Sequence, residues 1–322
     1  MAKGIQTLYG KAFEYACLLA VYERFSKFQD IIIEETEPVI TARNNYESVP
    51  ATLKADLFAA ANAATRVISR LEPQLEYPGN NKPLYLTLQS DAQGIKGDVR
   101  DVLCLRKQNE WEIGFSCKHN HHAVKHSRLS ASIDFGKEWF NIPCHQQYFD
   151  EVVPLFTKLK QIREDSNATA LWSDIIDKSA TYYIPLLKSF IDELKRLDSN
   201  NPNKIPALLI NYLIGKNDFY KIITDDSHKT TRVEAINIAG TLNKQAEGHK
   251  SIVSIEKLKL PSKFYHIDFK DNSDNTIEVV CDEGWSISMR IHNASSRVEP
   301  SLKFDVNLIS LPSSVHAQVE PW

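Results

Sequence analysis

Acidic and basic residues flank two short apolar segments between positions 98 and 118. Asp98 and Asp101 precede the segment VLCLR, and Lys118 ends the segment EWEIGFSCK, with the polar residues KQN between the two segments. This pattern predicts a β-hairpin. Because antiparallel neighbours bring the start of one strand beside the end of the next, we expect the two acids and the lysine at one end of a twisted sheet.

Carboxylates and a lysine at one end of a sheet suit the hydrolysis of a phosphodiester. A carboxylate binds Mg²⁺, whose octahedral coordination leaves positions for water and a phosphate oxygen, and a lysine can orient or deprotonate the attacking water. The nuclease motif PD-(D/E)XK has this arrangement, with a second acid two residues before the lysine. The present sequence has Ser116 at that position. A hydroxyl is a poor substitute for a carboxylate, so we expect another acid to complete the site.

Three other acids are candidates for the missing carboxylate. Glu14, on a predicted helix, is the first, and Asp134 and Glu138 are alternatives further along the chain. The carbonyl of Cys117 can supply a further oxygen. The expected catalytic groups are Asp101, Lys118, Asp98 and Glu14, and the expected Mg²⁺ ligands are Asp101, Asp98, Cys117 and Glu14. Alone, such a hairpin is a weak signal, because an acid, an apolar strand and a later lysine are common in α/β proteins.

The elements around the hairpin are predicted from hydrophobic periodicity. Residues 5–26 and 51–72 have the spacing of amphipathic helices, and Pro50 and Pro73 stand where the second helix would begin and end. LYLTLQS alternates like a strand, periodic helices follow in the middle of the chain, and short alternating strands follow after about residue 218. The pattern predicts a mixed α/β core, then a helical layer and a β-rich C-terminal region.

Composition limits the class of protein. The chain has 322 residues, 43% of them hydrophobic, and a formal net charge of −3, so a basic DNA-binding surface must be local. The five cysteines include no CxxC pair, which argues against a disulfide framework or a structural zinc site and favours a reducing cytoplasm. Lys11, Glu14, Glu23 and Arg24 interrupt the apolar N-terminus, unlike a signal peptide, and no segment resembles a membrane span. We therefore expect a cytoplasmic protein.

A polar segment rich in histidine follows the hairpin. Imidazole and cationic side chains often contact DNA phosphates, without reading the sequence. The expected DNA-binding residues of this segment are His119, Asn120, His121, Lys125, His126 and Arg128. Two other interpretations stay open, namely an exposed polar helix and a zinc-dependent hydrolase that uses the histidines between His119 and His126.

A second polar cluster lies in RIHNASSRVEP, between two predicted strands. Arginine reads guanine through O6 and N7, and an acid can accept the N4 amine of cytosine, so this segment offers both kinds of base contact. The expected DNA-binding residues in and beside it are Arg290, His292, Asn293, Ser295, Ser296, Arg297 and Lys303. An ordinary polar turn is the alternative interpretation.

Five segments resemble, in this order, the HaeIII family of type II restriction endonucleases. They are GKAFEYAC, GDVRDVLCL, EIGFSCKHNHHAVKHSRLS, IDFGKEWF and RIHNASSRVEPSLKFDV, and the resemblance spans nearly the whole chain. It implies a restriction-endonuclease-like α/β fold, with a central mixed sheet flanked by helices. It also implies Mg²⁺ dependence, blunt cleavage of double-stranded DNA within GGCC, and a cognate DNA methyltransferase as a functional partner.

We expect residues 1–165 to form the catalytic nuclease core and residues 166–322 to form the region for DNA recognition and dimerisation. A palindromic target presents the same chemistry on both strands, so we expect a two-fold symmetric homodimer. Apolar residues within 169–216 are the candidate dimer face, namely Ile184, Leu187, Ile191, Leu194, Ile205, Leu209, Tyr212 and Leu213. A DNA-binding protein without catalytic activity is the alternative function.

Overall fold

The computed structural model of the chain describes residues 3–79, 83–90, 97–120 and 123–322, with the backbone alone for residues 3 and 123–126. The chain divides into two compact units, each made of separate segments. The first unit comprises Met1–His122, Lys216–Leu258 and Ser313–Trp322, and the second comprises Ala123–Gly215 and Lys259–Pro312. The boundary that the sequence analysis places between residues 165 and 166 lies inside the second unit. The division of functions between the two chain halves stays a prediction.

The described part of the chain contains helices and strands throughout. The strands are β1 (Ile31–Ile33), β2 (Leu84–Leu88), β3 (Val102–Arg106), β4 (Trp111–His119), β5 (Ala123–Ser130), β6 (Phe219–Asp225), β7 (Thr230–Ile236), β8 (Phe264–Phe269), β9 (Thr276–Cys281), β10 (Ser286–His292), β11 (Ser301–Ser310) and β12 (Ala317–Pro321). The α-helices are α1 (Lys3–Phe25), α2 (Glu37–Ser48), α3 (Ala51–Leu71), α4 (Pro73–Glu76), α5 (Phe135–Phe140), α6 (Gln146–Asp165), α7 (Ile184–Asn200) and α8 (Ile205–Ile214). None of these helices has the length and apolar character needed to cross a membrane.

A seven-stranded mixed sheet forms the centre of the first unit, in the order β1-β2-β3-β4-β6-β7-β12. β1 and β2 are parallel, as are β4 and β6, and the other neighbours are antiparallel. The hairpin expected from the sequence is β3 and β4, in which Val102 pairs with Phe115 and Arg106 pairs with Trp111. A mixed sheet flanked by helices confirms the predicted fold class.

Helices α1 and α3 pack against this sheet. α1 contacts β4, α3 contacts β7 and β12, and the two helices contact each other. As predicted, α3 begins after Pro50 and ends before Pro73. Its apolar stripe, which includes Leu57, Ala64 and Ile68, is buried. Local periodicity and two prolines therefore account for this helix, and burial of its stripe holds it in place.

Strand alternation determines which side chains of β4 face away from these helices. Ile113, Phe115 and Cys117 belong to the core that α1 and α3 share with the sheet. Because successive strand residues point to opposite faces, Ser116 and Lys118 lie on the other face. Lys118 is also the residue before the last one of β4, so its side chain lies on that face at the end of the strand.

A five-stranded antiparallel sheet organises the second unit, in the order β5-β11-β10-β9-β8. Met289 and Phe304 are on its buried face, and the ring centroid of Phe304 lies 5.2 Å from that of Phe190 on α7. Trp139 of α5 joins the same aromatic core, with its centroid 5.6 Å from Phe190. The alternating segments after residue 218 thus form strands, as the sequence predicts.

The apolar helical residues expected to form a dimer face are used inside the second unit. Leu187, Ile191 and Leu194 of α7, and Leu209 and Leu213 of α8, are at most 4% exposed. Their periodic spacing reflects core packing, so the prediction that these buried side chains form a dimer face is wrong, whereas Ile184 and Tyr212 of the same set are half-buried.

Candidate active site

Asp101 and Lys118 meet at one end of the β3-β4 hairpin. The Asp101 amide donates a hydrogen bond to the carbonyl of Phe115 (2.7 Å), which anchors the residue directly before β3. The Asp101 carboxylate then accepts a hydrogen bond from the Cys117 amide (2.7 Å), and the same oxygen lies 3.4 Å from the Lys118 ammonium. The backbone of the hairpin therefore positions both the acid and the lysine.

Glu14 of α1 approaches the same two groups. Its side chain is 10% exposed, and its carboxylate pairs with Lys11 one helical turn earlier, at 3.0 Å. Burial and the negative charge of Asp101 raise the pKa of Glu14 to about 8, against the opposing charges of Lys11 and Lys118. The structure thus brings an acid from a helix to a site otherwise built by two strands.

The Lys118 ammonium is charged in this setting. Burial works against its charge, but the neighbouring Asp101 carboxylate, which also accepts a hydrogen bond from Lys118, outweighs that effect and holds the pKa of Lys118 above its usual value. A half-buried cation beside the Asp101 carboxylate is held in place electrostatically, since the lowered dielectric strengthens the interaction.

Asp98 lies in a different network. Its carboxylate accepts hydrogen bonds from the Arg100 guanidinium at 2.7 and 2.8 Å and from the Asn217 amide at 2.9 Å. These contacts hold the chain ahead of Asp101, whereas the groups that meet at the hairpin end are Asp101, Lys118 and Glu14. The structure does not bring Asp98 into contact with Lys118.

Sequence reasoning missed Arg100, which links the two sides of the hairpin. Its guanidinium also pairs with Glu112 of β4 at 2.7 Å. The side chain crosses Gly114, where an added Cβ would lie only 2.2 Å from the Arg100 Cδ. A glycine inside a strand, with an arginine just before the neighbouring strand, was the available signal.

The other candidate acids have different surroundings. Asp134 caps α5, since its carboxylate accepts hydrogen bonds from the amides of Lys137 (2.9 Å) and Cys144 (3.0 Å). Glu138 is an exposed residue of α5. Capping accounts for Asp134 without a catalytic role, so Glu14 is the candidate acid that the structure places beside Asp101.

The donors at the hairpin end fit Mg²⁺ better than zinc. Asp101 and Glu14 supply carboxylates and Cys117 a backbone carbonyl, and Mg²⁺ is commonly held by one or two carboxylates with water and a substrate phosphate. Within the described ranges, no group of three or more His, Cys, Asp and Glu side chains can hold an ion. Burial raises the pKa of the Cys117 thiol well above its usual value, which disfavours the thiolate that zinc requires.

The histidine-rich segment is only partly described. His119 lies 2.9 Å from the carboxylate of Asp226, and its ring packs against Tyr9 and Phe13 of α1. Asn120 also donates to Asp226, at 2.9 Å. His121 and the side chains of Lys125 and His126 lie outside the described residues. His119 and Asn120 thus join the end of β4 to Asp226, which follows β6.

In the second unit, strand pairing aligns cations that are far apart in sequence. Arg128 of β5 pairs with Lys303 of β11, which pairs with His292 of β10. Next to this row, Arg290 pairs with Asp305, and the carboxylate of Asp305 lies 3.1 Å from Arg290 and 3.0 Å from His292. We call the face formed by Arg128, Arg290, His292, Lys303 and Asp305 the polar sheet face.

The loop that follows β10 is folded on itself. The Asn293 amide donates to the carbonyls of Ser295 and Arg297, the latter at 2.7 Å. Ser295, Ser296 and Arg297 are exposed, and the Ser296 carbonyl accepts from the Trp172 amide (2.8 Å). Asn293 therefore shapes the loop, and its neighbours present polar groups to solvent.

Comparison with known proteins identifies the family of this chain. The chain matches the HaeIII restriction endonuclease family over residues 10–312. It is 40% identical over 313 residues to the type II restriction enzyme HaeIII of Haemophilus aegyptius, which covers 97% of this chain and 97% of that protein. No solved structure matches the chain. Matches of this extent and identity confirm the resemblance found in the sequence: the chain belongs to the HaeIII restriction endonuclease family.

Proposed function

We propose that this restriction endonuclease hydrolyses phosphodiester bonds of double-stranded DNA with Mg²⁺ held at the end of the β3-β4 hairpin. The observation that carries the proposal is the meeting of Asp101, Lys118 and Glu14, because Lys118 and Asp101 are 3.4 Å apart and Glu14 responds to the charges of both. Acids beside a buried lysine are the groups that phosphodiester hydrolysis needs.

Each group has a specific role in this proposal. Asp101, Glu14 and the Cys117 carbonyl would hold the metal, which when bound activates water and neutralises charge on the phosphate. Lys118, which is an ammonium, orients the attacking water and stabilises the negative charge that develops. Glu14 takes the part of the acid that is absent at Ser116. Asp98, paired with Arg100, supports the strand that carries Asp101.

The polar sheet face and the loop after β10 are the proposed DNA-binding surface. Arg128, Lys303 and His292 form a row of basic side chains across three adjacent strands, which lie about 4.8 Å apart, so the row spans about 10 Å. Basic side chains on one face can contact the phosphates of a duplex. Arg290, Ser295, Ser296 and Arg297 are placed at the same end of the sheet, where Arg290 can read guanine.

Family membership and symmetry support a proposed target and a proposed assembly. The family resemblance implies the palindrome GGCC, blunt ends and a cognate methyltransferase. Two copies of the chain, related by a two-fold axis, would present one active site to each strand. Because the apolar residues of α7 and α8 are buried, the surface that joins the two copies has to lie elsewhere.

Plasmid digestion tests the proposed function directly. The purified protein is incubated with a sequenced plasmid in Mg²⁺ or in EDTA, and the ends of the products are mapped. We expect cutting within GGCC in Mg²⁺ alone, with double-strand breaks that appear without accumulating nicks. DNA binding without cutting in Mg²⁺ would instead support the non-catalytic alternative. Sedimentation on a GGCC duplex measures whether two chains bind each site.

A further inference from the structure

A buried row of polar residues crosses the first sheet beside the active site. Ser116 of β4 pairs with Lys221 of β6, and Lys221 pairs with Glu234 of β7. Paired residues point to the same face of a sheet, and their neighbours Cys117, Ile222 and Val233 belong to the core on the opposite face. Lys221 therefore lies on the face that carries Lys118.

Lys221 is an unusual residue for the interior of a sheet. It is 3% exposed, as is Ser116, and Glu234 is 6% exposed. A lysine is almost never buried to this extent without an opposite charge, because desolvation of an ammonium is costly. Glu234 supplies that charge, and Glu234 is itself held by Arg232 at 2.7 Å.

The charge of Lys221 interacts with that of the active-site lysine. Burial lowers the pKa of Lys221, Glu234 opposes that effect, and the positive charges of Lys118 and Arg232 add to it. Lys221 and Lys118 are thus within electrostatic range of each other, on a face where Lys221 and Ser116 are buried. At low dielectric such a charge acts over several ångströms without contact.

We propose that Lys221 is a positioning residue of the active site, which adds a fixed positive charge beside Ser116 and stabilises the negative charge that develops on the scissile phosphate. The inference rests on the proposed function of the hairpin. It also accounts for the serine at position 116, since a carboxylate there would pair with Lys221 across the strands and cancel its charge. With Glu14 in place of the acid that is absent at Ser116, the additional cation makes the site more positive than the nuclease motif alone predicts.

A more positive site has two measurable consequences of opposite sign. The positive charge of Lys221 should speed hydrolysis, because phosphate charge increases in the transition state. The same charge should weaken the binding of a divalent cation in the absence of DNA, because like charges repel. A residue that served the fold alone would produce neither effect.

Lys221→Met tests the proposal, since methionine keeps an unbranched apolar side chain and removes the charge. Glu234 keeps its partner Arg232. Because the loss of one member of a buried pair destabilises a fold, thermal unfolding is measured together with activity. Lys216→Met is the matched control, because Lys216 is an exposed lysine of the same unit and the substitution is the same. Single-turnover cleavage, DNA affinity in EDTA, Mn²⁺ affinity by electron paramagnetic resonance and thermal unfolding are measured for each protein.

For Lys221→Met we expect cleavage to slow by at least about tenfold, with DNA affinity unchanged within about threefold and Mn²⁺ binding tighter by about threefold or more. Lys216→Met should match the unsubstituted protein in every assay. Cleavage at the normal rate, or slower cleavage with unchanged Mn²⁺ affinity in a folded protein, would overturn the proposal.

A second variant keeps the test decisive if Lys221→Met does not fold. Lys221→Arg retains the charge and should cleave faster than Lys221→Gln, which removes it, and equal rates in these two variants would refute the role of the charge. Asp101→Asn separates this inference from the function on which it rests. Loss of cleavage in Asp101→Asn together with normal Lys221 variants rejects the inference alone, whereas cleavage by Asp101→Asn rejects the proposed function.

Discussion

The two sheets of this protein present charge in opposite ways. In the first unit the ionisable groups beside the hairpin are buried, and the side chains of Glu14 and Lys118 are 10% and 15% exposed. In the second unit the side chains of Arg128 and Arg290 are 47% and 55% exposed, on the polar sheet face. Burial strengthens the interactions between charged groups, which suits bond cleavage. Exposure leaves the cationic side chains accessible to the phosphates of DNA. The comparison predicts separate effects on catalysis and on binding.

The largest effect should come from the acid that contacts both the backbone of β4 and Lys118. We expect Asp101→Asn to reduce cleavage by about a thousandfold or more and to leave DNA binding in EDTA within about threefold. Asparagine keeps the size of the side chain but removes the charge that binds metal. Gel-shift titration and single-turnover cleavage measure the two quantities. A variant that cuts normally would break the assignment of chemistry to the first unit.

A second substitution pair asks which residue replaced the missing acid. Glu14→Gln should slow cleavage by about tenfold to a hundredfold, whereas Ser116→Ala should change it by less than about threefold, because a hydroxyl is a weak metal ligand. The two rates are measured at saturating Mg²⁺. The reverse order would show that Ser116, and not Glu14, takes part at the metal site.

Substitutions on the polar sheet face are expected to weaken DNA binding rather than the chemistry of cleavage. Arg290→Ala should weaken binding to the target duplex by about 1–3 kcal/mol and relax sequence preference, because a base-reading arginine is lost. Lys303→Ala should weaken binding to all duplexes. It should also reduce the slope of log affinity against log salt concentration by about one, as expected for the loss of one phosphate contact. Titration at several salt concentrations measures both. Reduced cleavage with unchanged DNA affinity in both variants would show that this face does not bind DNA.

The smallest effect concerns a buried acid of the first unit that lies outside the active site. Glu72 is fully buried and accepts a hydrogen bond from the Tyr220 hydroxyl (2.6 Å), and burial raises its pKa to about 7. Its folded pKa exceeds the unfolded value, so the protonated group favours the folded state at low pH, and this advantage is lost as pH rises through about 7.

Glu72→Gln should therefore be more stable than the unsubstituted protein at pH 8.5, by on the order of 1–3 kcal/mol, and the difference should shrink towards pH 5. Urea unfolding at both values measures the difference. If the two proteins differ in unfolding free energy by the same amount at pH 5 and at pH 8.5, Glu72 does not titrate between these pH values.

The sequence by itself determined the elements whose signals are local. Apolar spacing and the flanking prolines predict α3, and two apolar segments around a polar connection predict the β3-β4 hairpin, which is enough to place Asp101 and Lys118 together. These predictions succeed because hydrogen bonds between near neighbours and a single buried face are sufficient to define such elements. Family membership was likewise readable, since it depends on residue order.

Tertiary structure alone decided which distant groups share the site. Nothing in the local pattern of α1 shows that Glu14 faces Asp101. β6 begins about a hundred residues after the end of β4, yet it lies beside β4 and sets Lys221 next to Ser116. Likewise, the spacing of Leu187 and Leu209 cannot distinguish a dimer face from a core. Such outcomes depend on pairing between remote segments and on what each face buries, and neither is contained in short-range periodicity.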